Sequence, residues 1–229
     1  MQTQNAFVFL YPHENQFDFE IRNYSWSYDF PEVQMEFDAR LKAAVSKAEI
    51  KKIQEEYLDC TAKLFRPIYS GILNTSIDLR YRKNGFRIFY ALLEGNPVSN
   101  VISLKSTDNF IYAGIDEKTH RTPNSDGKCP YPDRDFILDQ LGNVNRLVVS
   151  GFHLNSCVKK TARRAYVRGI NVLVDEELTE LFGRDIQKPD FDPSKYPSIN
   201  PTKTMTNPES FERFFRRRAR QPWLYQWRL

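Results

Sequence analysis

The sequence predicts one α/β domain built around a mostly parallel sheet, and three observations predict it. A polar, Arg-rich helical stretch closed by Gly and followed by a short apolar run occurs twice, at residues 75–93 around Gly85 and at residues 161–174 around Gly169. Glycine just past a helix takes the left-handed position without a Cβ penalty, and helix–Gly–strand repeated in this way is the pattern of βαβ units. The runs themselves, Phe86–Leu93 and Ile170–Val174, have the length and the β-branched or aromatic content of buried strands. The third observation is compositional. The 229 residues, 41% hydrophobic and 27% charged, can bury a full core without disulfides or metals, and they exclude a wholly disordered or collagen-like chain.

Each element follows in order. The apolar run Ala6–Leu10 reads as the first strand. Residues 32–66 read as one long helix, with Leu41, Ala44, Val45 and Ala48, then Tyr57, Leu58, Thr61 and Leu64, as partial stripes, and Arg66-Pro67 as its stop. This stretch is expected to be a helical insertion in a domain covering residues 1–220. A helix over 72–84 feeds the strand Phe86–Leu93. A weaker strand candidate at Val98–Leu104 precedes a clearer one at Asn109–Ile115. Helix 134–141, strand Arg146–Ser150, helix 155–168 and strand Ile170–Val174 complete the alternation. Residues 183–209, rich in Pro, Asp and Lys, read as an irregular excursion, and 209–219 as a terminal helix.

The net charge of +4 is unevenly placed. Residues 211–229 hold six arginines and one acid, which leaves the rest of the chain near −1. In 209–220, Phe211, Phe214, Phe215 and Ala219 fall on one helical face, so the bland account is core phenylalanines under a solvated basic face. The tail 221–229 sets Trp223, Tyr225 and Trp227 beside Arg228. That mixture could stack bases, lie at an anionic membrane surface or pack across a subunit interface. One short basic segment argues against nucleic acid as the partner, and a homo-oligomer is expected.

Cys60, Cys129 and Cys157 form no C-x-x-C pair and no disulfide framework, which favours a reducing compartment. Phe7–Leu10 is too short for the apolar core of a signal peptide, and no stretch has the apolar length to cross a bilayer. The expectation is a soluble, cytoplasmic protein.

The chemistry points to residues 146–175. A buried strand ends at Ser150-Gly151, a short turn follows, and Cys157 opens a helix. Open α/β sheets bind ligands beyond the carboxyl ends of their strands. A thiol at a helix N-terminus feels the positive end of the dipole, which lowers its pKa and favours thiolate. The alternative for Cys157 is a small buried hydrophobe packing the helix on the sheet.

The pattern Gly151, Cys157, Val158, Thr161, Ala162, Ala165 and Gly169, then a strand ending at Asp175, resembles that of the isochorismatase-like cysteine hydrolases. A looser likeness runs from Ala6 to about Ala219. The resemblance implies a three-layer α/β fold with a mostly parallel sheet flanked by helices. It also implies hydrolysis of a small-molecule amide or related C–N bond through a Cys nucleophile, a Lys and an Asp. Cys157 is the nucleophile so implied. Lys118, 39 positions upstream and just after Asn109–Ile115, fits the Lys better than Lys105 or Lys128. An ammonium there would stabilise thiolate and the charge of a tetrahedral intermediate; the plainer account is a solvated loop lysine.

Three departures accompany the resemblance. Tyr11 stands where the Asp that shuttles the thiol proton is expected, with Pro12 next; His13 and Glu14 are the nearest groups that could replace it. The turn, which in the family has small residues, a cis peptide and an oxyanion hole of backbone N–H groups, is here Phe152, His153, Leu154, Asn155 and Ser156. The cis bond would fall at Phe152–His153, bulky Phe152 and His153 would narrow the pocket, and His153 could act as base or simply bond the backbone. Finally, His13, His120 and His153 show no metal-ligand spacing, so no metal and no cofactor are expected. Two functions stay open: a cysteine hydrolase, or a catalytically impaired binding or interaction module with Tyr11, Phe152 and His153 at the old pocket.

Overall fold

The computed structural model describes residues 4–25, 30–175 and 178–179. The Arg-rich helix expected at 209–219, the excursion at 183–209 and the aromatic tail lie outside the described residues.

Five strands form one sheet in the order β3-β2-β1-β4-β5. They are β1 (Gln4–Leu10), β2 (Arg87–Glu94), β3 (Asn109–Asp116), β4 (Val144–Gly151) and β5 (Asn171–Val174). Every pairing is parallel. The fold is the three-layer α/β arrangement expected. The five main strand expectations each meet a strand within two residues at either end: the apolar runs of β1, β2 and β4 are buried on both faces, while the edge strand β3 buries alternate residues. Val98–Leu104 is not a strand. Val101 and Ile102 are buried, but they anchor a turn in which the Ile102 N–H donates to the Ser99 carbonyl.

The helices depart further from expectation. Residues 14–24 form α1 (Glu14–Tyr24), a helix that the sequence reading did not assign. The single helix expected over 32–66 is two, α2 (Pro31–Ala43) and α3 (Lys47–Arg80). Ser46 divides them as N-cap: its hydroxyl accepts the Glu49 N–H, while the Glu49 carboxylate accepts the Val45 N–H. That is nearly the reciprocal capping box, and it fixes a new helix start. Conversely, α3 runs straight through Pro67, the expected stop. An internal proline costs about 3 kcal/mol. Thr61, Phe65, Tyr69, Leu73 and Ile77 continue one buried stripe across it at four-residue spacing, and burying each large side chain is worth about 1.5–3 kcal/mol. The stripe outweighs the proline.

Beyond α3, Gly85 and Gly169 take the left-handed conformations expected of them, with φ of 73° and 79°. The remaining helices are α4 (Glu117–Arg121), α5 (Arg134–Asp139) and α6 (Lys159–Val167), the last entered through a π-type turn at Leu154–Val158.

Aromatic packing fixes the α1–α3 layer on the central strand. Phe7 stacks on Tyr81 at 4.1 Å between ring centroids. Phe17 lies 6.0 Å from Phe9 and 5.9 Å from Tyr69. Arg66 ties the same layer together at the surface, donating to Glu14, to Asp18 at 2.6 Å and to Asn100 at 2.8 Å. The chain order places β2 and β3 on one side of β1, and β4 and β5 on the other. The carboxyl ends of β1 and β4 therefore flank the switch point where such sheets take ligands.

Candidate active site

Two strand ends build the site. Leu10 pairs with Gly151 in register, and the Phe152 N–H donates to the Leu10 carbonyl at 3.0 Å. Gly151 has φ 106°, and a Cβ there would meet the Leu10 carbonyl oxygen and lie 2.5 Å from the Leu10 nitrogen. No other residue fits so close an approach. On the far side, the Tyr11 N–H donates to Ala91 at 2.8 Å, holding Tyr11 at the end of β1 with a left-handed φ of 59°.

This backbone directs the Tyr11 side chain at Cys157. Tyr11 and Cys157 act on one another: the phenol lowers the Cys157 pKa and the sulfur raises that of Tyr11. Both groups are buried, with exposures of 6% and 8%. Burial pushes the Tyr11 pKa well up, and negative charge on Cys157 adds to the rise, while Arg134 opposes it. Burial also raises the Cys157 pKa. Hydrogen bonds from Ser156 and Tyr11 and the positive charges of Lys160 and Arg134 act in the opposite direction without outweighing it. The expected lowering by the helix terminus is therefore not the net result. Desolvation disfavours the charged form more than the neighbouring dipoles favour it, and Cys157 rests as a thiol beside a phenol.

The other expected residues are placed as follows. Lys118 is exposed at the second position of α4 and is not among the cations acting on Cys157. Asp116 caps that helix by accepting the Thr119 N–H, which turns 117–121 into a surface helix instead of a continuation of the strand toward the site. Glu14, at the start of α1, is held by Arg66 and by the Ser99 hydroxyl. His13 is buried and occupied at both nitrogens: Nδ1 donates to the Pro97 carbonyl at 3.2 Å and Nε2 accepts the Leu93 N–H at 3.1 Å. Burial lowers its pKa, so the imidazole is neutral.

The Phe152–His153 peptide is cis. The Phe152 ring turns into the core, 5.7 Å from Phe9 and 5.1 Å from Phe17, and so packs α1 on the sheet instead of narrowing a pocket. His153 is half-buried with its Nδ1 3.9 Å from Glu20, a carboxylate with no exposed surface. The His153 carbonyl accepts the N–H groups of Ser156 and Val158, so those two and that of Phe152 are already engaged. Among the described residues, no three His, Cys, Asp or Glu side chains cluster at metal-binding range.

Sequence reasoning missed Arg134, Lys160 and Glu20. Lys160 had a readable signal, lying three positions after Cys157 and hence about one helical turn away. Arg134 and Glu20 are brought in by tertiary packing from α5 and α1, and nothing local marks them.

Residues 131–191 match the family described as the Isochorismatase domain. No curated protein sequence matches the chain. Among solved structures, it is similar to a Leishmania major protein described as a provisionally assigned MAR1 ribonuclease, at 11% identity and a TM-score of 0.41. That likeness covers 78% of this chain and 65% of the other, so the chain spans about two thirds of that protein's length. It is also similar to an isochorismatase from Pseudomonas putida KT2440, at 15% identity and a TM-score of 0.34, covering 78% of this chain and 74% of that one.

Proposed function

From the premise that the chain is an isochorismatase-like superfamily member, we propose that it is a cysteine hydrolase acting on a small-molecule amide or related C–N bond. The observation that carries this reading is that Tyr11, just past the carboxyl end of β1, and the cations Arg134 and Lys160 all act electrostatically on Cys157, in the turn that follows β4. Cys157 is the nucleophile. Lys160 and Arg134 take the electrostatic role that the sequence suggested for Lys118, favouring thiolate over thiol as the sulfur attacks.

Tyr11 supplies the proton path that the missing Asp would have supplied. A neutral phenol is a poor base, but its oxygen can accept the thiol proton while its own O–H is handed to the leaving nitrogen. The S–C bond forms, the C–N bond breaks, and an amine or ammonia departs with the proton, leaving a thioester on Cys157. Water then cleaves the thioester to a carboxylic acid and restores the thiol. Tyr11 begins and ends each half-reaction neutral, so its raised pKa is compatible with the role. A proton shuttle of this kind is worth about 10²–10⁴ in rate.

A second reading, an impaired ligand-binding or interaction module, is favoured by one observation. Burial keeps Cys157 protonated, and no carboxylate is among the groups acting on it. The experiment that separates the two is acylation by p-nitrophenyl acetate. The hydrolase reading expects an acetyl adduct mapped by mass spectrometry to Cys157, with release of p-nitrophenol that falls in Cys157→Ala. Equal release from both proteins and no adduct at Cys157 leaves only the second reading. No helix among the described residues is long and apolar enough to cross a membrane. A cytoplasmic homo-oligomer acting on a small molecule is the setting consistent with this proposal.

A further inference from the structure

Among the basic side chains around α5 and α6, four divide into two kinds. Arg164 Nε meets Asp135 at 2.7 Å, and Arg168 Nη2 meets Asp139 at 2.6 Å. These two are matched by acids. Arg134 and Lys160, on the side of Cys157, have no carboxylate partner among the described residues. Both face one aromatic ring instead. The Lys160 ammonium stands 3.7 Å from the Tyr131 ring centroid and the Arg134 guanidinium 5.9 Å from it. The His120 ring packs against the same Tyr131 at 5.3 Å. Both cations are half-buried.

Two like charges held over one ring repel each other, and a cation–π contact worth about 0.5–2 kcal/mol each offsets that only in part. Such a pair is completed by an anion. Lys160 lies three positions after Cys157, where the turn Leu154–Val158 enters α6, so an anion held by the pair would lie on the side of the sulfur. Counting charges narrows its identity. Cys157 rests as a thiol and turns to thiolate as it attacks a bound ligand; in that state one of the two positive charges is balanced and one remains. A singly charged carboxylate balances the second, whereas a phosphate dianion leaves an excess negative charge in a half-buried site.

We infer that Arg134 and Lys160 form a subsite for a carboxylate carried by the ligand of Cys157, with Tyr131 as the platform that spaces the two cations. The inference rests on the reading of the Cys157 region as a small-molecule site, and it names the class: a monocarboxylate whose scissile bond lies close to the acid group.

The test is binding of benzoate, benzamide and phenyl phosphate to the intact protein by isothermal calorimetry. Benzoate is expected to bind at least roughly ten-fold tighter than benzamide, as a charge-assisted contact to Arg requires. That advantage is expected to fall in Arg134→Gln and in Lys160→Gln, with Arg134→Lys retaining part of it. Equal affinities for benzoate and benzamide, absence of saturable benzoate binding, or an advantage untouched by both Gln variants overturns the subsite. Phenyl phosphate binding tighter than benzoate overturns the assignment to a monoanion. The acylation experiment reads the nucleophile and not the anion, so its failure and the failure of this subsite are separable.

Discussion

Tyr11, just past the first strand, lowers the pKa of Cys157, in the turn after the fourth, and negative charge on Cys157 raises that of Tyr11; both groups are buried. A phenol in this position stabilises thiolate by one hydrogen bond, and it does so from a side chain that itself resists ionisation. The pair is therefore asymmetric: the proton leaves the sulfur before it leaves the ring.

Removing the Tyr11 hydroxyl tests the pair directly. In Tyr11→Phe the rate of Cys157 alkylation by iodoacetamide, followed from pH 7 to 10, is expected to shift to higher pH. At fixed pH the rate should fall about ten-fold, the value of one charge-assisted bond of roughly 1.5 kcal/mol. A pH profile identical to the parent's means that Tyr11 does not act on the sulfur.

Gly151 is the position where the site and the fold are inseparable. A methyl group there meets Leu10 main chain on the neighbouring strand and imposes a φ that other residues avoid. Gly151→Ala is expected to lose about 3 kcal/mol or more in urea unfolding, a size that calls for a definite steric cause. A loss under about 1 kcal/mol would show that the two strand ends can separate at little cost.

How much of this was legible beforehand depends on where the information lies. Strands such as Ala6–Leu10 and Arg146–Ser150 were readable because burial on both faces leaves a continuous apolar run. Gly85 and Gly169 were readable because the left-handed residue after a helix is nearly always glycine. The division at Ser46 was missed because Ala44 and Val45 continue the apolar stripe while the capping bonds of Ser46 and Glu49 decide the break. Pro67 misled in the opposite sense, since a local stop signal yielded to a tertiary stripe. At the site, Cys157 and the cis Phe152–His153 turn followed from a contiguous motif. Arg134 is separated from Cys157 by strand β4, and only the folded chain brings it near.

A buried ion pair gives a third prediction. Asp108 has no exposed side-chain surface and accepts from Arg82, which also donates to Tyr90 at 3.1 Å and Asp78 at 2.5 Å. Arg82→Met strands a buried carboxylate, and a loss of about 3–5 kcal/mol is expected by chemical denaturation. The double variant Arg82→Met/Asp108→Leu should recover part of it. A double variant as unstable as the sum of the single ones excludes this coupling.

The fourth prediction concerns pH. His13 is neutral and its pKa lies below the ordinary imidazole value because burial penalises the charged form. The unfolded chain binds a proton near pH 6.5, before the folded protein does. Stability from this group is therefore complete above about pH 6.5 and lost as the pH falls below it. Thermal unfolding should show a drop in midpoint from pH 7 to pH 5 that is shallower in His13→Gln. Parallel curves for the two proteins contradict the assignment.

The main chain at position 11 has a further consequence for the chemistry open to this scaffold. A left-handed φ of 59° suits Asp and Asn better than it suits Tyr. The bond from the Tyr11 N–H to Ala91 and the pairing of Leu10 with Gly151 are made by backbone atoms, so any replacement side chain inherits them. Tyr11→Asp would thus set a carboxylate where the backbone suits one, within the influence of Arg134 and beside a thiol. On the proposed hydrolase reading, an acid at this strand end is a single exchange away, and the backbone that would seat it is already in place.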